Sequence, residues 1–192
     1  MPTFSLFASP WWVNLLIFVP FVAHYFWRRN KLELANRELL WTAIFAIAFG
    51  FVEAAAVIHL RAATGFLPGY QGTLSDVARL SSDAFGQLKS FGALSKSLFE
   101  VEFFREIATI VMLVCVAQLV GKNHRCRWAI FLWIFAVWDV SYYAWLWILI
   151  SWPLSFTTPD VLFLVPVPWL SQVWFPLLVS SLTIGAVLLS RK

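Results

Sequence analysis

Five stretches of this chain, about residues 9–27, 39–60, 99–120, 128–150 and 169–190, each run for about 20 residues almost without charge. A helix rises about 1.5 Å per residue, so each is long enough to cross a hydrocarbon layer of roughly 30 Å. A water-soluble domain of this size needs a polar shell over its core. Here 61% of the 192 residues are hydrophobic and 12% are charged, about half the charge of an ordinary soluble domain. That balance excludes a globular soluble enzyme, a disordered chain and a disulfide-framed secreted domain. It predicts an all-α fold, a polytopic membrane bundle of five transmembrane helices, with residues 1–192 forming a single domain.

Lysine and arginine positions set the expected orientation. Arg28, Arg29, Lys31, Arg37, Lys122, Arg125, Arg127, Arg191 and Lys192 fall in connections on one side of such a bundle. Arg61, Arg79, Lys89 and Lys96 fall on the other, and Arg105 lies inside a run. The positive-inside rule then places the N-terminus outside and the C-terminus in the cytoplasm. A net charge of +4, scattered over segment ends, is no footprint for nucleic acid. The basic residues follow the first run rather than precede it, which reads as a retained span and not a cleaved leader. Cys115 lies mid-run and Cys126 in a basic connection, so free thiols are expected.

Two connections stand out. Between the second and third runs, Leu74, Val77, Phe85, Leu88 and Phe91 recur at helical spacing, with Asp76, Arg79, Asp83 and Lys89 opposite. Thr73 and Asp76 resemble a capping box. The pattern predicts an amphipathic helix over about 73–91, on the outer membrane surface or capping the bundle. Between the last two runs, Trp152-Pro153 and Thr158-Pro159-Asp160 lead into Val161-Leu162-Phe163-Leu164-Val165, closed by Pro166-Val167-Pro168-Trp169. Prolines forbid a continuous helix there. Apolar non-helical backbone at a membrane edge must be buried in protein, so this segment either roofs a cavity or anchors at the headgroups.

Ionisable residues inside a bilayer are costly, and by default they mark function. Glu53 lies in the second run, Glu102, Arg105 and Glu106 in the third, and Asp139 in the fourth. Glu102, Arg105, Glu106 and Thr109 fall at i, i+3, i+4 and i+7, one polar stripe. Asp139, Tyr142 and Tyr143 share a face in the same way. Glu53 sits beside Ala46, Gly50, Ala54 and Val57, a small-residue face that admits a close helix neighbour. Counting inward from the expected outer surface puts all three stripes in the outer half of the bilayer. Glu53, Glu102, Glu106 and Asp139 are therefore the expected proton- or cation-binding carboxylates. Arg105 is their counter-ion, and Tyr142, Tyr143 and Thr109 orient them. The competing reading is that these groups knit helices together, at about 0.6 kcal/mol per interaction.

No cofactor can be assigned from the sequence. Glu53, His59, Glu106 and Asp139 are the weak candidates for a metal, since the Glu-x-x-His spacing of bundle di-metal sites is missing. His24, His59 and His124 lie at different ends, which argues against a haem. There is no phosphate-binding loop, no Gly-x-Ser-x-Gly and no convergence of Ser with His in any run, so little favours an enzyme. Twelve Trp and 19 Phe are a high load. Trp11, Trp12, Trp27, Trp152, Trp169 and Trp174 occupy belt positions. Trp133, Trp138, Trp145 and Trp147 crowd the fourth run, where they pack the bundle or meet lipid, a partner or a flat apolar pigment.

The segments 102–109, Trp138-Asp139-Val140-Ser141-Tyr142-Tyr143 and 163–169 resemble those of multi-spanning bacterial membrane proteins that carry no assigned activity. The resemblance covers most of the chain from about residue 40 and implies a bacterial inner-membrane location. Three functional expectations compete. The first is an outward-facing acidic site for protons or cations in a transporter or energy-converting assembly, as a homo-oligomer or beside other membrane subunits. The second is a non-catalytic subunit binding partners, membrane lipid or pigment through its Trp-rich surfaces. The third is an enzyme acting on a lipid headgroup.

Overall fold

The computed structural model describes residues 7–63, 73–80 and 96–192. A 3-10 helix, Trp11–Phe18, runs directly into α1, Val19–Trp27, with Pro20 in the first turn of α1, where its missing N–H costs no helical bond. There follow α2, Asn36–Ala63, α3, Leu74–Leu80, α4, Lys96–Val120, and α5, His124–Ile150. A two-stranded hairpin, β1 Pro159–Phe163 and β2 Trp169–Gln172, precedes the last helix, α6, Trp174–Leu189.

The fold is mostly helical, and α2, α4 and α5 are long and apolar enough to cross a membrane, which supports a membrane protein. The first and last apolar helices are shorter, Trp11–Trp27 and Trp174–Leu189. The last run therefore differs from the expected 169–190: Trp169–Gln172 is strand, and the helix begins only at Trp174. The cause is local. Pro166 and Pro168 keep the chain extended up to Trp169, and Pro176 is tolerated only in a helix's first turn.

The Thr73 cap is present. Asp76 N donates to Thr73 Oγ1 at 3.2 Å and Thr73 Oγ1 donates to the Asp76 carboxylate at 2.7 Å. Val77 is fully buried in a cluster with Ile58, Leu146 and Trp152, so this helix packs onto α2 and α5. The remainder of the expected amphipathic helix, 81–91, lies outside the described residues.

α5 is the central helix, with α2, α4 and α6 packed around it. Asn123 caps it, accepting from Cys126 N at 2.9 Å. Cys126 is thus a buried free thiol in its first turn rather than in a loop, and Cys115 is an exposed one. The α2–α5 contact is very close because Thr42, Ala46, Gly50 and Ala54 present little side chain. A Cβ on Gly50 would lie 3.0 Å from Ser141 Cβ and 3.1 Å from the Trp138 carbonyl oxygen. Large apolar side chains such as Phe21, Trp41, Phe51, Phe104, Leu119, Trp147 and Leu189 point outward on every long face, the surface of a body solvated by lipid or partners and not by water.

Polar contacts gather the basic segments at one end. Lys31 Nζ donates to the Leu189 carbonyl at 3.0 Å, Arg191 donates to Asn36, and Lys192 pairs with Glu33 at 2.9 Å. Lys122 pairs with Glu38 at 3.4 Å. The hairpin and Arg61 lie at the opposite end, joined by an ion pair.

The Gly50 contact can be tested directly. Gly50→Val adds atoms where backbone is already within 3.1 Å. It should lower stability in detergent by about 1–3 kcal/mol, the usual cost of overpacking, read as a lower unfolding midpoint.

Candidate functional site

A cavity of about 150 Å³ lies between α2, α4, α5, α6 and the hairpin. Glu53, Glu102, Arg105, Glu106, Thr109, Asp139, Tyr142 and Tyr143 all line it, so the three polar stripes converge on one space. The 3.6-residue repeat explains the convergence. Among the residues of α4 from 100 onward, the buried ones are Glu102, Glu106, Thr109, Leu113 and Ala117, one stripe facing α5 and α2.

Arg105 is the hub. Its Nη1 donates to Glu53 Oε2 on α2, its Nε donates to Glu102 Oε2 at 2.9 Å, and its Nη2 donates to Glu102 Oε1. Thr109 Oγ1 donates to the other Glu53 oxygen at 2.8 Å. One guanidinium therefore serves two carboxylates, and Glu53 is held across the helix gap from both sides. Glu53 and Glu102 are 7% and 8% exposed.

Glu106 and Asp139 differ from that pair. Glu106 accepts the backbone N–H of Leu164, beyond the end of β1, at 2.8 Å. Asp139 accepts from Ser180 Oγ on α6 at 2.8 Å. Neither has a basic partner among the described residues.

A second ion pair closes the hairpin end. Arg61, in the last turn of α2, reaches Asp160 Oδ1 at 3.4 Å and lies 4.8 Å over the Trp152 ring. Tyr143 donates its hydroxyl to Asp160 Oδ2 at 3.0 Å. Asp160 is 1% exposed. Burial pushes its carboxyl up to about 6, with Arg61, the Tyr143 hydroxyl and the Val161 backbone N–H opposing the rise.

The two tyrosines and the metal candidates take the following positions. Tyr143 orients Asp160 rather than Asp139, Glu53 or Glu106. Tyr142 makes no hydrogen bond to those carboxylates and instead meets the Tyr143 ring edge-on at 5.1 Å. As for a metal, His59 is exposed and does not line the cavity. No group of three His, Cys, Asp or Glu among the described residues is placed to hold an ion. His24 is engaged elsewhere, with Nδ1 3.0 Å from Ser190 Oγ.

Three residues escaped the sequence reading. Arg61 looked like a loop charge, yet it lies eight residues from Glu53, two turns along the same stripe. That spacing was the available signal. Ser180 carries none, being one hydroxyl in an apolar helix. Asp160 stood in a proline-rich connection with no partner in view, and the strand pairing brings it to Tyr143.

No family model matches the chain, and no curated protein or solved structure matches it either.

Removing the hub strands two buried carboxylates. Arg105→Leu should cost about 3–5 kcal/mol, as for other broken buried pairs. In a mutant cycle, combining it with Glu53→Gln should cost clearly less than the sum of the single changes, measured by denaturant titration in mixed micelles.

Asp160 predicts a pH dependence. Because its value of about 6 exceeds the reference 3.8, the folded chain holds that proton more tightly than the unfolded chain. Ionisation therefore weakens the fold above pH 6, on the order of 2–3 kcal/mol, and acidification toward 3.8 relieves it. The unfolding midpoint should rise as pH falls from about 6 to about 4, and Asp160→Asn should remove that part of the slope.

Proposed function

We propose that this protein binds protons or a cation in a membrane-embedded cavity, through the carboxylates of Glu106 and Asp139. The observation that carries the reading is the division of charge around the cavity. Arg105 is occupied by Glu53 and Glu102, and Arg61 by Asp160. Two acids, the buried Glu106 and the half-buried Asp139, remain without a cation of their own among the described residues. In a low-dielectric interior such groups either hold protons or draw in a positive ion.

The membrane reading extends this. On the proposed arrangement all five apolar helices span. A 3-10 turn rises about 2.0 Å per residue, so the eight residues Trp11–Phe18 and the nine of Val19–Trp27 together reach about 30 Å. The sixteen residues of α6 reach about 24 Å, and the hairpin lies beyond its outer end. The basic end lies in the cytoplasm by the positive-inside rule, so the cavity, toward the hairpin end, faces outward. A bacterial inner membrane is the proposed location. A single bundle of this size is small for a carrier built of two repeats, so the chain works as a homo-oligomer or within a larger transport or energy-converting assembly.

The test is a proton titration of the purified protein in detergent. The double variant Glu106→Gln with Asp139→Asn should take up one to two fewer protons per chain across neutral pH, and it should lose cation-linked proton release. An unchanged titration and unchanged ion response, with assembly altered instead, would transfer the protein to the accessory-subunit reading.

A further inference from the structure

The cavity that holds Glu106 and Asp139 is walled mostly by apolar and aromatic side chains: Phe135, Trp138 and Tyr142 on α5, Phe163 and Trp169 from the hairpin, and Phe175 on α6. Most other oxygens in its lining are already engaged: those of Glu53 and Glu102 by Arg105 and Thr109, Ser180 Oγ by Asp139 and the Tyr143 hydroxyl by Asp160. Calcium takes six to eight oxygen ligands, and magnesium keeps an octahedral shell at about 2.1 Å. Glu106 and Asp139 alone cannot replace that shell. A substituted ammonium ion has the opposite requirement. Its charge is spread, its hydration is weak, and aromatic faces attract it.

Trp138 adds an independent observation. It is 7% exposed and walls the cavity, and its indole N–H has no hydrogen-bond partner among the described residues. An unsatisfied buried donor carries a standing cost, and the π face of a bound aromatic ring would accept that N–H. The volume narrows the ligand further. About 150 Å³ is comparable to an engineered apolar cavity that admits a single benzene ring.

Resting on the cation-binding reading above, we propose that this cavity is a site for a small organic cation, a substituted ammonium ion with an apolar body of about one ring. The ammonium group meets Asp139 and Glu106, and the ring packs among Phe135, Trp138 and Trp169. The groups around it are charged in a fixed pattern. Glu53, Glu102 and Arg105 form one compensated set on α2 and α4, and Arg61 and Asp160 form another at the hairpin. A proton on Asp139 or Glu106 therefore competes directly with the ligand's charge.

The experiment uses calorimetry on the detergent-solubilised full chain with benzylammonium, its neutral isostere benzyl alcohol, and sodium chloride. Benzylammonium should bind at least about tenfold more tightly than benzyl alcohol, a difference of about 1.4 kcal/mol. Its binding should release protons, seen as a buffer-dependent heat, and weaken as pH falls. Asp139→Asn should abolish the preference for the charged probe, and Trp138→Leu should weaken benzylammonium while leaving the proton titration intact. Equal binding of the two probes would overturn the proposal and leave an apolar pocket. Proton release by sodium without benzylammonium binding would overturn it too, while sparing the cation-binding reading. If no probe binds and the double amide variant titrates like the parent, both readings fall.

Discussion

The sharing of Arg105 between Glu53 and Glu102 is the constraint on which the arrangement depends. α2 and α4 each pack on α5, and the polar bridge between them is made by Arg105 and Thr109 reaching to Glu53. An arginine cannot shed its proton, so in an apolar setting it must keep acceptors within reach. Glu102, three residues earlier on the same helix, supplies two oxygens in a forked geometry suited to guanidinium. Glu53 supplies a third from the neighbouring helix. The pairing fixes the axial position of α2 against α4, because a shift of one residue along either helix would separate the charged groups by about 1.5 Å and rotate them apart.

The hairpin depends on the same economy of polar groups. A two-stranded sheet is barely stable alone, and here it is held from several sides. Pro159 pairs with Gln172, Asp160 with Ser171, Val161 with Leu170, and Phe163 with Trp169 after an irregularity between Val161 and Phe163. The free edge of β2 exchanges two backbone hydrogen bonds with Ser9, at 2.8 and 2.7 Å, which covers an otherwise open strand edge. Glu106 takes the Leu164 N–H, and Arg61 with Tyr143 grips Asp160. An apolar extended segment near lipid must satisfy its backbone within the protein, and these contacts do so. The same contacts bring Phe163 and Leu164 to the cavity, so the segment forms one of its walls.

Much of this was legible because helices repeat locally. The stripe from Glu102 to Thr109 and the small face of Ala46, Gly50 and Ala54 follow from a 3.6-residue period. The parts that were not legible are those that period cannot reach. The pairing of Arg61 with Asp160 joins residues 99 positions apart through a strand register set by Pro166 and Pro168. Tyr143 lies on the right face for Asp139, yet the hairpin offers it Asp160 instead. The start of α6 at Trp174 was obscured because an apolar strand and an apolar helix read alike over a few residues.

The five carboxylates near the cavity can now be sorted by what holding the helices together accounts for. Glu53 and Glu102 stabilise the α2–α4 pairing through Arg105, and Asp160 anchors the hairpin to Arg61. Those three have structural employment, and a purely structural account is adequate for them. Glu106 and Asp139 do not fit it. Each receives one hydrogen bond, from a backbone amide and from a serine, which a glutamine or asparagine would accept equally well through its carbonyl oxygen. An amide in either place would keep the bond and avoid the desolvation cost of a buried acid. What the acid alone retains is the capacity to gain and lose a charge beside an aromatic cavity, and that capacity is what the proposed binding of a proton or a positive ion draws on.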